Sequence, residues 1–229
     1  MSNIRYENIT CPRCKKASEF AIWESINVKL CPEAKERVIT GDLFQFECPD
    51  CHTKMRVSYP TLYHDPEKKY MIYCIPAGAD PKKSAELTDS AEKTMAANRE
   101  NKAMAGYRYR MTDSVNALRE KVLLFENDLD DRVVEIMKFF TVAGLLEKSP
   151  EVKIGGAYFG MNKDGSEWYV EVLCQDGVRA SGLKKEFYER IRADFAEVLH
   201  GSGETPAKVD ADWVRETVFT KKKDQERNS

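Results

Sequence analysis

Two pairs of cysteines with the same local pattern are the residues of this chain best suited to chemistry. They are Cys11-Pro-Arg-Cys14 and Cys48-Pro-Asp-Cys51. Two cysteines three positions apart in a tight turn aim both sulfurs at one point, and proline fixes the φ angle that such a turn needs. Two such pairs supply the four thiolates of a tetrahedral site. The sequence therefore predicts one structural Zn²⁺ per chain, bound by Cys11, Cys14, Cys48 and Cys51.

The residue after the second cysteine of such a turn often needs a left-handed backbone, for which glycine is the easiest residue. Here the two positions hold Lys15 and His52. Histidine is enriched among the non-glycine residues of that region, so His52 fits it better than Lys15 does.

Other interpretations of the four cysteines remain open from the residues alone. Reduced thiols are frequent in protein cores, and a rubredoxin-like iron centre uses the same four sulfurs as zinc. Disulfides are disfavoured because the N-terminal residues show no apolar segment of a signal peptide. No stretch approaches the ~20 apolar residues of a membrane span. We expect a cytoplasmic protein without a membrane partner.

The remaining cysteines lack a metal-binding pattern. Cys31 precedes a proline but has no second thiol at the required distance. Cys74 and Cys174 lie in strand-like runs, which favours packing roles. His52 is unnecessary as a ligand once four sulfurs are present.

The charge of the chain indicates which class of partner it can bind. The formal net charge is −2, and the first 80 residues contain eleven basic and eleven acidic side chains. A module that binds nucleic acid usually presents a basic surface that neutralises phosphates. The balance therefore favours an unidentified protein partner over nucleic acid.

The order of predicted elements indicates an α+β fold. Residues 1–76 alternate strand, cysteine turn and strand twice, as expected of a zinc-ribbon-like β module whose hairpins are held together by the metal. Residues 77–106 are predicted to form a polar linker with partial helix, and residues 107–220 an α+β domain. That domain is predicted to open with a strand at 107–111 that exposes two arginines, and to continue with a helical pair and a small β-hairpin/helix unit. Residues 221–229 are predicted to be a disordered tail.

An acidic corner lies where the second helix of the pair is predicted to begin. Its residues are Glu126, Asp128, Asp130, Asp131 and Glu135. Carboxylates are stabilised by the free amides of a helix N-terminus, so we interpret the corner as a helix cap starting at Asp128. A site for a hard cation or for acid and base catalysis is the alternative for the stretch Asp128–Asp131.

These motifs resemble the CpXC domain family of bacteria and archaea, which is named for two such cysteine motifs. The resemblance is carried by the cysteine pairs, by Pro60-Thr-Leu-Tyr-His-Asp-Pro66 and Tyr70-Met-Ile-Tyr73, by stretches within 118–138, and by Asp212-Trp213. It implies a metal-binding module and no established activity.

We therefore expect a zinc-stabilised interaction module, with a nucleic-acid-binding zinc ribbon as the alternative. An enzyme is disfavoured, because the sequence lacks an evident nucleophile, a glycine-rich phosphate loop and a three-ligand metal site. The oligomeric state is not determined by these patterns.

Overall fold

A computed structural model describes residues 2–78, 80–201 and 207–219. It divides the chain into two compact units, Met1–Val122 and Leu123–Ser229, and the division falls inside a helix. Helices and strands alternate in both units, and one sheet is mixed, so the α+β class is confirmed.

Seven strands lie among the described residues of the first unit. They are β1 (Asn3–Thr10), β2 (Ala17–Asn27), β3 (Gln45–Glu47), β4 (Lys54–Arg56), β5 (Thr61–Asp65), β6 (Tyr70–Cys74) and β7 (Arg108–Thr112). Five of them form a sheet in the order β1-β2-β5-β6-β7, and β3 pairs with β4 in a separate hairpin. The β1/β2 and β5/β6 pairs are antiparallel, whereas β2/β5 and β6/β7 are parallel.

Two neighbouring parallel strands must be joined by a crossover connection. In this sheet each crossover connection contains a helix. Helix α1 (Glu33–Thr40) lies between β2 and β5, and α2 (Pro81–Glu100) lies between β6 and β7. Helix α2 begins where Asp80 accepts hydrogen bonds from the amides of Lys82 and Lys83, with Pro81 in the first turn. The predicted polar linker therefore contains a 20-residue helix.

Strand β7 differs from its prediction in two ways. It pairs with β6, in the same sheet as the N-terminal strands, instead of opening a second domain. Arg110 is buried at 2 % exposure and donates a hydrogen bond to the Tyr109 carbonyl, so the expected pair of exposed arginines is wrong. The proposed division into independently folding domains stays a prediction.

The core of the first unit is rich in aromatic side chains. Tyr63 and Tyr70 stack at a centroid distance of 5.7 Å, and Tyr63 lies opposite the buried Ile26 of β2 on one side and the buried Ile72 of β6 on the other. Burial of these large side chains stabilises the sheet.

The second unit contains a three-stranded meander and several helices. Helix α3 (Val115–Glu126) crosses the division between units, and the elements that follow are α4 (Asp131–Lys148), β8 (Ile154–Met161), β9 (Trp168–Cys174), β10 (Gly177–Leu183), α5 (Lys185–Asp194), α6 (Ala196–Gly201), α7 (Ala211–Val214) and a π-helical turn (Arg215–Phe219). The helix predicted in the β-hairpin/helix unit is present as two helices, α5 and α6. The predicted tail, 221–229, lies outside the described residues.

Candidate metal centre

The first cysteine pair lies in the turn that joins β1 to β2. The Lys15 amide donates to the Cys11 carbonyl at 3.0 Å, and the Cys11 amide donates to the Lys16 carbonyl at 2.9 Å. Lys15 has a φ of 63°, so it adopts the left-handed conformation expected from the sequence. We call residues 11–16 the first knuckle.

The second cysteine pair lies in the turn between β3 and β4 and repeats this geometry. The His52 amide donates to the Cys48 carbonyl at 2.9 Å, the Cys48 amide donates to the Thr53 carbonyl at 3.0 Å, and His52 has a φ of 55°. Residues 48–53 form the second knuckle. The two knuckles are thus the same local structure built twice, as the repeated sequence pattern predicts.

The knuckles bring their four sulfurs together. The Sγ atoms of Cys11 and Cys51 are 3.6 Å apart, as are those of Cys14 and Cys48, and all four lie within 4.8 Å of one another. These distances far exceed the ~2.05 Å of a disulfide bond. Four sulfurs at about 2.3 Å from one ion in a tetrahedron are about 3.8 Å apart. The donor set therefore fits a four-thiolate metal site.

Backbone amides and one hydroxyl act on the ionisation of these thiols. The Cys14 amide lowers the pKa of Cys11, and the Arg13 amide acts in the same direction against burial. The Thr53 hydroxyl, 3.3 Å from the Cys51 sulfur, and the Thr53 amide lower the pKa of Cys51 to about 6.

Cys14 shows the opposite shift. The Lys16 amide lowers its pKa, but burial and the sulfurs of Cys48 and Cys11 outweigh that amide and raise the pKa to about 12. Sulfurs this close repel one another when ionised, because like charges disfavour each other's charged form. A cation at their centre removes this repulsion and allows all four to be thiolates.

A small apolar cluster surrounds the sulfurs. Cys11 and Cys48 are fully buried beside Phe46, and Phe20 packs edge-on against Phe46 at a centroid distance of 6.0 Å. Partly buried side chains complete the cluster: Ile9, Cys14, Cys51, Met55 and Val57. The two hairpins therefore share one apolar cluster as well as the four sulfurs.

Three basic side chains at or beside the knuckles lie next to carboxylates. Lys16 of the first knuckle contacts Asp50 of the second at 2.5 Å, which links the two turns. Lys54 and His52 lie 3.3 and 3.4 Å from Glu47. His52 thus interacts with a carboxylate, and the sequence offered no direct signal for the link between Lys16 and Asp50.

The other candidate residues lie apart from the sulfur cluster. Cys31, Cys74 and Cys174 are not members of it, and burial raises the pKa of the Cys74 thiol to about 12. The His64 ring is 3.1 Å from the Tyr107 hydroxyl. Tyr109, in the strand predicted at 107–111, is 1 % exposed.

The acidic corner forms no comparable cluster within the described residues. Asp130 is the N-cap of α4, accepting from the Arg132 amide at 2.9 Å and pairing with the Arg132 guanidinium at 2.7 Å. The cap is therefore two residues later than predicted, because the backbone turns at Asp128, which has a φ of 55°.

Comparison with known proteins decides the family. A family model described as CpXC protein matches residues 9–138, more than half of the chain. The chain belongs to the CpXC family. The matched CpXC segment contains both knuckles, and it ends within α4. Neither a curated protein nor a solved structure shows significant similarity to the chain.

Among the described residues, no helix is both long enough and apolar enough to cross a membrane.

Proposed function

We propose that Cys11, Cys14, Cys48 and Cys51 bind one Zn²⁺ and that the ion holds the two knuckle hairpins together as a zinc-ribbon-like module. The observation that carries this proposal is the convergence of four sulfurs within 4.8 Å of one another. When bound, the ion supplies a cross-link between the β1/β2 hairpin and the β3/β4 hairpin, whose three-residue strands are too short to fold alone.

The role of the ion is structural. A catalytic zinc site has three protein ligands and one open position for water or substrate, whereas four protein ligands close the coordination sphere. Cys11 and Cys48 are fully buried, which supports a closed site. Iron in the same four sulfurs is the alternative metal, and its strong visible absorbance distinguishes it from colourless Zn²⁺.

We further propose that the CpXC protein is a cytoplasmic interaction module that binds another protein. The tips of both knuckles are exposed, at Pro12-Arg13 and at Pro49-Asp50, while the cysteines beside them are buried or half-buried. A rigid turn with an exposed tip presents a fixed surface to a partner, since little conformational entropy is lost on binding.

The nucleic-acid alternative has less support. Lys16 and Lys54 are engaged with Asp50 and Glu47, so these two positive charges are already paired with carboxylates and less able to bind phosphates. Tyr109 and Arg110 are buried and do not present a stacking surface for bases.

The experiment is affinity purification of the tagged full-length chain from its native cells, with and without nuclease. Wild type is compared with Cys48→Ser, which removes one proposed ligand, and with Cys31→Ser as the matched control. We expect a nuclease-resistant protein that is enriched with wild type and Cys31→Ser but lost with Cys48→Ser. Enrichment of RNA or DNA, lost on nuclease treatment, would overturn the protein-binding proposal.

A further inference from the structure

Strand β1 leaves one side of its backbone exposed at the edge of the five-stranded sheet. None of its eight residues is buried, and only Ile9 is partly buried. At the opposite edge, four of the five residues of β7 are buried. An exposed, regular edge without proline or glycine is a template for another strand. Within the described residues, β1 is thus the open edge of this sheet.

The hydrogen-bond pattern shows which backbone groups face outward. The Cys11 amide donates to the Lys16 carbonyl, and the β1/β2 register continues from that pair without a shift as far as Ile4. Hydrogen-bonded and non-hydrogen-bonded pairs alternate in an antiparallel ladder. Arg5, Glu7 and Ile9 therefore bond to β2, and the N–H and C=O groups of Ile4, Tyr6 and Asn8 point away from it.

We infer that β1 pairs antiparallel with β1 of a second copy of this chain, with Tyr6 opposite the partner's Tyr6. The outward groups of Ile4 and Asn8 then bond to the partner's Asn8 and Ile4, and the two sheets become continuous. Arg5 lies opposite the partner's Glu7, and Glu7 lies opposite the partner's Arg5.

Charge selects this register over its neighbours. Two residues that lie opposite each other in a sheet must point to the same face. A symmetric antiparallel pair of β1 strands can therefore change its register only by moving its centre from one residue to the next. A pair centred on Arg5 places Arg5 opposite the partner's Arg5, and a pair centred on Glu7 places Glu7 opposite the partner's Glu7. Like charges directly opposite are destabilising. The centre at Tyr6 alone of the three makes both contacts attractive.

Apolar surface on the other face of β1 supports the same partner. Tyr6 is 63 % exposed and Ile4 is 37 % exposed. Both are even-numbered and share a face, on which Ile4 lies opposite Trp23 of β2. Pairing at Tyr6 brings two exposed tyrosines side by side at the symmetry axis, where cross-strand aromatic pairs are favourable.

The inference rests on the proposed function in one respect, because β1 leads directly into the first knuckle and the metal would hold its end in place. The test is sedimentation equilibrium of the full chain up to about 1 mM, the range of weak specific association. Zinc content is measured by mass spectrometry on the same samples, so that loss of the dimer and loss of the metal are seen separately.

Within one chain Arg5 forms ion pairs with Glu7 and with Glu24, the latter at 2.7 Å. The charge register is therefore tested in a Glu24→Gln background, and the exchange of Arg5 and Glu7 described below keeps the ion pair within the chain. Glu7→Arg places like charges opposite each other twice and should raise the dimer dissociation constant about tenfold or more. The double variant Arg5→Glu/Glu7→Arg restores both attractive contacts and should recover the dimer. Circular dichroism checks that each variant is folded.

Two results would overturn this inference. One is a monomer at every concentration with one zinc bound, which leaves the proposed function standing. The other is a dimer that Glu7→Arg does not weaken, which shows that copies associate through a different surface. A chain that binds no metal instead contradicts the proposed function.

Discussion

Lys15 and His52 occupy the same position in the two knuckles and adopt the same left-handed backbone, with φ angles of 63° and 55°. In each knuckle the amide of this residue donates to the carbonyl of the first cysteine. The left-handed conformation is thus required to close the turn on the metal site, although neither residue is glycine.

Replacing Lys15 with glycine is therefore expected to stabilise the protein. A side chain in the left-handed region costs roughly 1–2 kcal/mol, which is partly offset by the greater entropy of unfolded glycine. We expect Lys15→Gly to raise the free energy of unfolding by about 0.5–1 kcal/mol in urea denaturation of the metal-loaded protein. Arg13→Gly is the control, because Arg13 is not among the residues with positive φ, and it should lower stability.

Asp65 predicts a pH dependence of stability. Its carboxylate is 2 % exposed, accepts from the amides of Glu67 and Lys68 at 3.0 and 2.9 Å, and pairs with Lys35 at 3.1 Å. Burial alone would raise the pKa of Asp65, but the Lys68 amide and Lys35 outweigh it and lower the pKa below 3.8. A lowered pKa means that the ionised group stabilises the fold above pH 3.8, and that this stability is lost as the pH falls through the folded-state pKa.

We expect Asp65→Asn to lower the free energy of unfolding at pH 7 by about 2 kcal/mol, the scale of hydrogen bonds to a charged group. The difference from wild type should shrink below pH 4. Glu67→Gln is the control, since Glu67 is exposed, and it should change stability little. A difference that does not depend on pH would show that the charge of Asp65 is not what stabilises the turn.

Asp130 distinguishes a helix cap from a cation site in the acidic corner. Asp130→Ala should cost about 1 kcal/mol through loss of the cap, and Asp130→Asn should cost less because asparagine also caps helices. Thermal denaturation with and without Mg²⁺ measures both effects. We expect Mg²⁺ to leave the wild-type midpoint unchanged, and selective stabilisation of the wild type would contradict the capping role.

The local features of the metal centre could be predicted from the sequence. The repeated C-P-x-C pattern predicts both turns and the left-handed positions, because each depends on residues close together in the chain. It also predicts the convergence of the sulfurs, although the two pairs are distant in sequence, because each pair supplies half of one tetrahedral site. The strand order β1-β2-β5-β6-β7 could not be predicted in this way, since it depends on which distant strands pack together.

Helix α2 and the buried Arg110 also differ from the sequence-based expectation, because both depend on contacts with distant parts of the chain. Helix α2 has only Ala91 and Met95 buried, so its polar composition concealed a helix that the Asp80 cap and Pro81 begin. Arg110 is charged but buried, and strand alternation alone does not reveal that both faces of β7 are covered.

The most direct test of the metal centre is the zinc content of the native full-length chain by mass spectrometry. We expect one equivalent of zinc in wild type and in Cys31→Ser, a sharp decrease in Cys48→Ser, and none in the Cys11→Ser/Cys48→Ser double variant. Full zinc content in that double variant would contradict the assignment of Cys11, Cys14, Cys48 and Cys51 as the ligands.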